Sequence, residues 1–220
     1  MLKNDEFKVE LVEYPTADDW MEVKRRTLVT IGKTAKNPPS VEWEKKLLAA
    51  MHSPIRRLFF SFYMEVPYWV SVHFCRHVHA QPYVQTQRND RQDNYDRNSA
   101  PQNAPVKMIL DMNAEELITI MHKRLCTQAS AETRQIATAM REAVLEKCPE
   151  FSDVLVPNCV YRNGLCTEYK PCGAAGERPG KTGGGSDDLP GDGGRNQGNR
   201  QKPLLQPAAW MSRGGADQAH

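Results

Sequence analysis

"FFSFYMEVPYWVSVHFCRHV", residues 59–78, joins two apolar patterns without a break. Its first part, FFSFYMEVP, reads as a strand, because aromatic and branched side chains suit a pleated, half-buried surface. YWVSVHFCRHV then continues as a buried helix. Upstream, FKVELVEYP alternates apolar and polar residues and predicts a half-buried strand. TADDWMEVKRRTLVTIG follows as a helix with Thr16 as its N-cap, and Ser40 caps a second helix, VEWEKKLLAAMH. Trp43 holds the third helical position there, so a full capping box is absent, while Glu42 and Glu44 put negative charge where the helix dipole favours it. SPIRRL predicts a turn or short helix, and PYVQTQR is extended, because Pro82 disfavours helix for its predecessor. NDRQDNYDRNSAPQNAP is a polar loop, and NAEELITIMHKRLCTQA and SAETRQIATAMREAVLEKCPEF are two helices, the second ended by Pro149. Helices and strands mix without a regular βαβ alternation, which predicts an α+β (mixed α/β) fold.

The 220 residues are 40% apolar and 25% charged, within the globular range. A net charge of +2 is too small to point to a nucleic-acid partner. No run of about 18 apolar residues is present, so no membrane span is expected. MLKNDEFKVELVEYP has no apolar core of a signal peptide, and the six cysteines show no paired framework, so a cytoplasmic protein with reduced thiols is expected. Twelve of the 14 glycines lie at or after Gly173. That segment cannot bury enough surface to offset chain entropy. We therefore expect one folded domain over 1–172 and a disordered Gly-rich tail over 173–220. PLLQPAAWM within it reads as more tail rather than a docking segment.

AGERPGKT, residues 175–182, fits a loose phosphate-loop pattern, but no strand precedes it and polyglycine follows, so it is an accident of composition. Cys148, Cys159, Cys166 and Cys172 lack a CxxC knuckle, leaving reduced thiols against a structural zinc site. His73, His77 and His79 would share a face on a strand, and only the first pair would align on a helix. No catalytic metal is expected there, because the HExxH pattern is absent. Arg76, Arg88, Arg91, Arg97 and Arg124 bracket the polar segment, and guanidinium forks suit phosphate or uracil-like carbonyls. The alternative is a solvated basic face balanced by Asp90, Asp93 and Asp96.

These residues resemble the flavin-dependent thymidylate synthases, whose signature runs R-H-R-x-x-S-x-N-E-x-S-x-R. On RHVHAQPYVQTQR, Arg76, His77 and Arg88 match and Thr86 replaces a serine, while Val78, Gln81, Tyr83 and Val84 depart. Ser53, Pro54 and Pro67 keep their places upstream. Downstream, RNSAP resembles an R-x-x-x-P segment, and Asn113, Ala114, Arg124, Ala129 and Glu132 fall in register with a helix pair. The likeness spans roughly residues 8–155, as ordered anchors rather than one pattern.

The resemblance implies that Ser53, Arg76, His77 and Asn113 contact FAD. Glu115 stands where an FAD-contacting arginine is common. It implies that Thr86, Arg88, Arg97 and Arg124 bind deoxyuridine monophosphate, with His73 in place of a nucleotide-contacting glutamine. Arg124 is the expected catalytic residue, polarising the uracil ring. The implied reaction is reductive methylation with NADPH and methylenetetrahydrofolate as co-substrates, in a homotetramer with shared sites. The departures at Val78 and Val84 leave two alternatives open: pyrimidine nucleotide hydroxymethylation, or a non-catalytic homologue that binds nucleotide or flavin.

Overall fold

A computed structural model describes Leu2 and residues 7–92 and 95–173. AGERPGKT, PLLQPAAWM and the rest of the chain expected to be a tail, beyond Gly173, lie outside the described residues. The chain divides into two compact units, Met1–Asn158 and Cys159–His220.

The first unit opens with strand β1 (Lys8–Glu13) and helix α1 (Ala17–Val29). Thr16 caps α1 through a reciprocal box with Asp19, satisfying two donors at the helix start. Ser40 caps α2 (Val41–Ala49) through the Trp43 N–H without a box, as its sequence predicts. A 3-10 turn, Ser53–Arg57, leads into β2 (Phe59–Pro67), which passes directly into α3 (Tyr68–Cys75). β3 (Gln81–Val84) takes only the first part of the extended segment. Helices α4 (Ala114–Arg124) and α5 (Ala131–Lys147) follow β4 (Pro105–Asn113); α5 ends before Pro149, as its sequence predicts, and a 3-10 turn at Pro149–Asp153 follows.

The strands form one antiparallel sheet in the order β1-β2-β4-β3, so the fold is α+β. β4 is the strand that the sequence reading left unassigned. It pairs with β2 along its whole length, from Phe59 opposite Asn113 to Pro67 opposite Pro105. Its pattern has period two: Val106, Met108, Leu110 and Met112 are buried, while Lys107 and Ile109 face out. Phe60, Phe62, Met64 and Val66 of β2 are buried on alternate positions in the same way. Leu117, Ile120 and Met121 of α4 and Ile136, Met140 and Val144 of α5 complete the core.

This arrangement positions the site. β2 delivers α3 and β4 delivers α4, and α4 and α5 pack together. In the second unit, the described segment holds a tight turn after α6 (Asn158–Tyr161). There Gly164 has φ +90°, a left-handed conformation suited to glycine, and its N–H donates to the Cys159 carbonyl at 2.7 Å.

Candidate functional site

Arg124 ends α4, where a cation is favoured by the helix dipole. Its Nη2 donates to the His73 carbonyl at 2.7 Å, satisfying one of the acceptors left open in the last turn of α3. Its Nε donates to His77 Nε2 at 3.0 Å. Two of the five guanidinium N–H groups are thus committed to protein, and the fork is held in one orientation. Burial, then Arg76, pushes the Arg124 guanidinium below its ordinary range, yet arginine stays charged. A half-buried cation of fixed orientation suits an anionic or carbonyl-bearing ligand.

His77 lies in the turn beyond α3, and its side chain is only 9% exposed. Its Nδ1 sits 3.4 Å from Oε1 of Glu116, which is 6% exposed. Both ring nitrogens of His77 therefore face protein groups. His73 belongs to the same assembly. Its Nδ1 lies 2.7 Å from Thr133 Oγ1, and the Ser130 hydroxyl donates to that same oxygen at 2.8 Å. The Thr133 hydroxyl can donate to His73 Nδ1 or accept from it, so this bond serves either neutral tautomer of His73. Burial, then Arg124 and Arg76, lowers the His73 pKa from its ordinary value, which favours the neutral imidazole. His79 is exposed and takes no part in these bonds. Of the histidine alternatives, the helical one holds for His73, while α3 stops short of His77.

Thr86, Arg88 and Arg97 form a second group on the exposed loop after β3. Arg88 N–H donates to Thr86 Oγ1 at 3.3 Å, and the Arg97 N–H donates to Asn89 Oδ1 at 3.0 Å. The Arg88 fork meets both oxygens of Asp90, at 2.9 and 2.5 Å, and hydrogen bonding to Arg88 holds that carboxyl below its usual range. Arg91 approaches Asp90 at 3.8 Å. No hydrogen bond or ion pair among the described residues joins Thr86, Arg88 or Arg97 to Arg124.

Ser53 and Arg76 are exposed, and Arg76 makes no ion pair among the described residues. Asn113 caps α4, its Oδ1 accepting the Glu116 N–H at 3.0 Å, which leaves its amide donors available. Glu115 is bound by the fork of Arg56, which holds its carboxyl below the usual range. Val78, one of the four departures from the signature, is 90% exposed and carries no packing role within the chain.

The sequence reading missed Glu116, Thr133, Ser130 and Arg56. Glu116 had a legible signal, since it sits four residues before buried Ile120 on the core-facing side of α4. A carboxylate there needs a partner. Thr133 carried no such signal, because its partner is distant in sequence.

Burial, then Glu150 and Glu44, pushes the Cys148 thiol up to about 12, so the metal-free thiol is protonated at neutral pH. No group of three or more histidine, cysteine or acidic side chains among the described residues is arranged to hold a metal ion. No described helix is long and apolar enough to cross a membrane.

Residues 92–150 match the family model described as thymidylate synthase complementing protein. That segment includes Arg97, Asn113, Glu116, Arg124 and Thr133 but not the signature around Arg76 and Arg88. A curated flavin-dependent thymidylate synthase from Clostridium tetani is 36% identical over 78 residues. That alignment covers 35% of this chain and 30% of the relative, so the chain spans about a third of the length of the protein it matches. Both comparisons support the resemblance to flavin-dependent thymidylate synthases carried by the sequence.

Proposed function

We propose that the protein catalyses reductive methylation of deoxyuridine monophosphate to thymidine monophosphate, using FAD, NADPH and methylenetetrahydrofolate. The observation that carries this reading is the Arg124 guanidinium, which lies in the segment that matches the family model and is held by His73 and His77 from outside it. We further propose a cytoplasmic homotetramer with shared sites.

Arg124 would donate from its uncommitted N–H groups to a pyrimidine oxygen or N1 and stabilise the charge that develops there. His73, with Nδ1 engaged by Thr133, would offer Nε2 for a second hydrogen bond to the ring. Arg88 and Arg97 would bind the 5′-phosphate, with Arg88 exchanging Asp90 for phosphate oxygens, and Thr86 would add its hydroxyl. The donor set fits FAD in part: the exposed cation Arg76, the Ser53 hydroxyl and the Asn113 amide suit its polar groups and diphosphate. Bound flavin would supply the hydride, which no side chain of this protein can. His77, with both nitrogens engaged by protein, would serve the flavin site only indirectly.

The test is direct. Purified protein incubated with FAD should show flavin absorbance after desalting. It should then release the C5 proton of deoxyuridine monophosphate when NADPH and methylenetetrahydrofolate are supplied, with thymidine monophosphate identified by mass spectrometry. Colourless protein without proton release defeats the enzyme reading, and a hydroxymethyl product redirects it to the sister reaction.

A further inference from the structure

We propose that Glu116 and His77 are positioning residues that aim Arg124, a role that rests on the reading of Arg124 as the ligand-facing cation. Glu116 and Arg124 stand near opposite ends of α4, about 12 Å apart along a helix of standard rise. His77 bridges them from outside that helix, with Nδ1 toward Glu116 and Nε2 toward Arg124.

The donors and acceptors fix the direction of this relay. Arginine has no acceptor, so the Arg124 Nε–H must donate, and His77 Nε2 must carry a lone pair. The His77 proton then lies on Nδ1, facing the carboxylate of Glu116, which can only accept while ionised. Glu116 thereby selects the tautomer that can receive Arg124, as a carboxylate orients an imidazole in many sites. With both partners nearly buried, the ring cannot turn to water instead.

The geometry also accounts for a missing local bond. Glu116 is three residues after the N-cap Asn113, the position from which a glutamate commonly reaches back to the cap N–H. Here only the Asn113 half of that exchange is present, and the Glu116 carboxylate approaches His77 instead. A side chain that leaves its local partner for a histidine beyond another helix serves tertiary orientation rather than helix stability.

Nitrogen-15 long-range correlation spectra of the full chain test the relay without any ligand. Wild type should show His77 with its proton on Nδ1, and Glu116→Gln should keep that form because the amide oxygen still accepts. Glu116→Leu should shift the ring toward the Nε2 proton. Calorimetric titration with deoxyuridine monophosphate supplies the second arm. Glu116→Leu should weaken binding about threefold, less than the loss of Arg124 itself, and Glu116→Gln should recover most of it. An Nε2 proton on wild-type His77, or equal affinity in wild type and a folded Glu116→Leu variant, overturns the proposal. If wild type binds no deoxyuridine monophosphate, the proposed function falls, while the tautomer spectra still decide the relay. Should Glu116→Leu fail to fold, the wild-type and Glu116→Gln spectra decide it.

Discussion

Arg124 carries the most chemistry of any single side chain, and its loss should separate turnover from binding. Arg124→Ala is expected to lower kcat about 10²–10³-fold, the usual cost of deleting a donor aimed at developing charge. Affinity for deoxyuridine monophosphate should fall less than about tenfold, because Arg88 and Arg97 would still hold the phosphate. Steady-state kinetics beside calorimetry give both numbers, and wild-type kcat in the variant would remove Arg124 from the chemistry. The identities of Arg124, His73 and His77 were legible as residue types, because histidine and arginine clustered around an apolar strand are unusual. Their arrangement was not. Which nitrogen of His77 carries the proton depends on Glu116, and Nδ1 of His73 is engaged by Thr133, each supplied by another element. Sequence spacing reports neighbours on one helix or strand, and these bonds join residues about forty to sixty positions apart.

Among the elements, capped helices were the most readable, since Thr16 and Ser40 announce their starts by local hydrogen bonding. β4 escaped because Met108, Leu110 and Met112 are weak strand formers, and only pairing on both sides makes that segment a strand. The seam between α2 and the Pro149–Asp153 turn illustrates a further property that pattern alone hides. Glu44 is buried on α2, and burial, followed by the nearby Glu150, raises its pKa from 4.5 to about 7. Glu150 in turn accepts the Trp20 Nε1–H at 3.1 Å, so it is held in place. A carboxyl whose folded pKa lies above its unfolded value binds its proton more tightly when folded. Its stabilising contribution is full below pH 4.5 and is lost as pH rises through about 7. Urea denaturation across that window should show wild type losing up to about 3 kcal/mol from this group. Glu44→Gln should flatten the dependence, and parallel pH profiles for the two proteins would refute the assignment.

At the scale of the whole molecule, the two arginine groups pose the question of how one site could use both. Arg124 is tied to α3 through His73 and to the turn beyond it through His77, whereas Arg88 is tied to Asp90 in the loop after β3. If both act on one nucleotide, a symmetric oligomer can bring the loop of one protomer to the helix end of another. Subunit complementation distinguishes this from a site built within one chain. Arg88→Ala and Arg124→Ala should each be nearly inactive alone. Unfolded together, refolded and assayed for C5 proton release, they should regain activity in about a quarter of the sites, the chance of drawing both native residues from different protomers. A site built within one chain can never combine the two native residues from these variants, so mixing would restore nothing. Light scattering supplies the companion measurement. A mass of four chains is expected, and a single-chain mass of 24.9 kDa under assay conditions would overturn the shared site even if the protein turned over substrate.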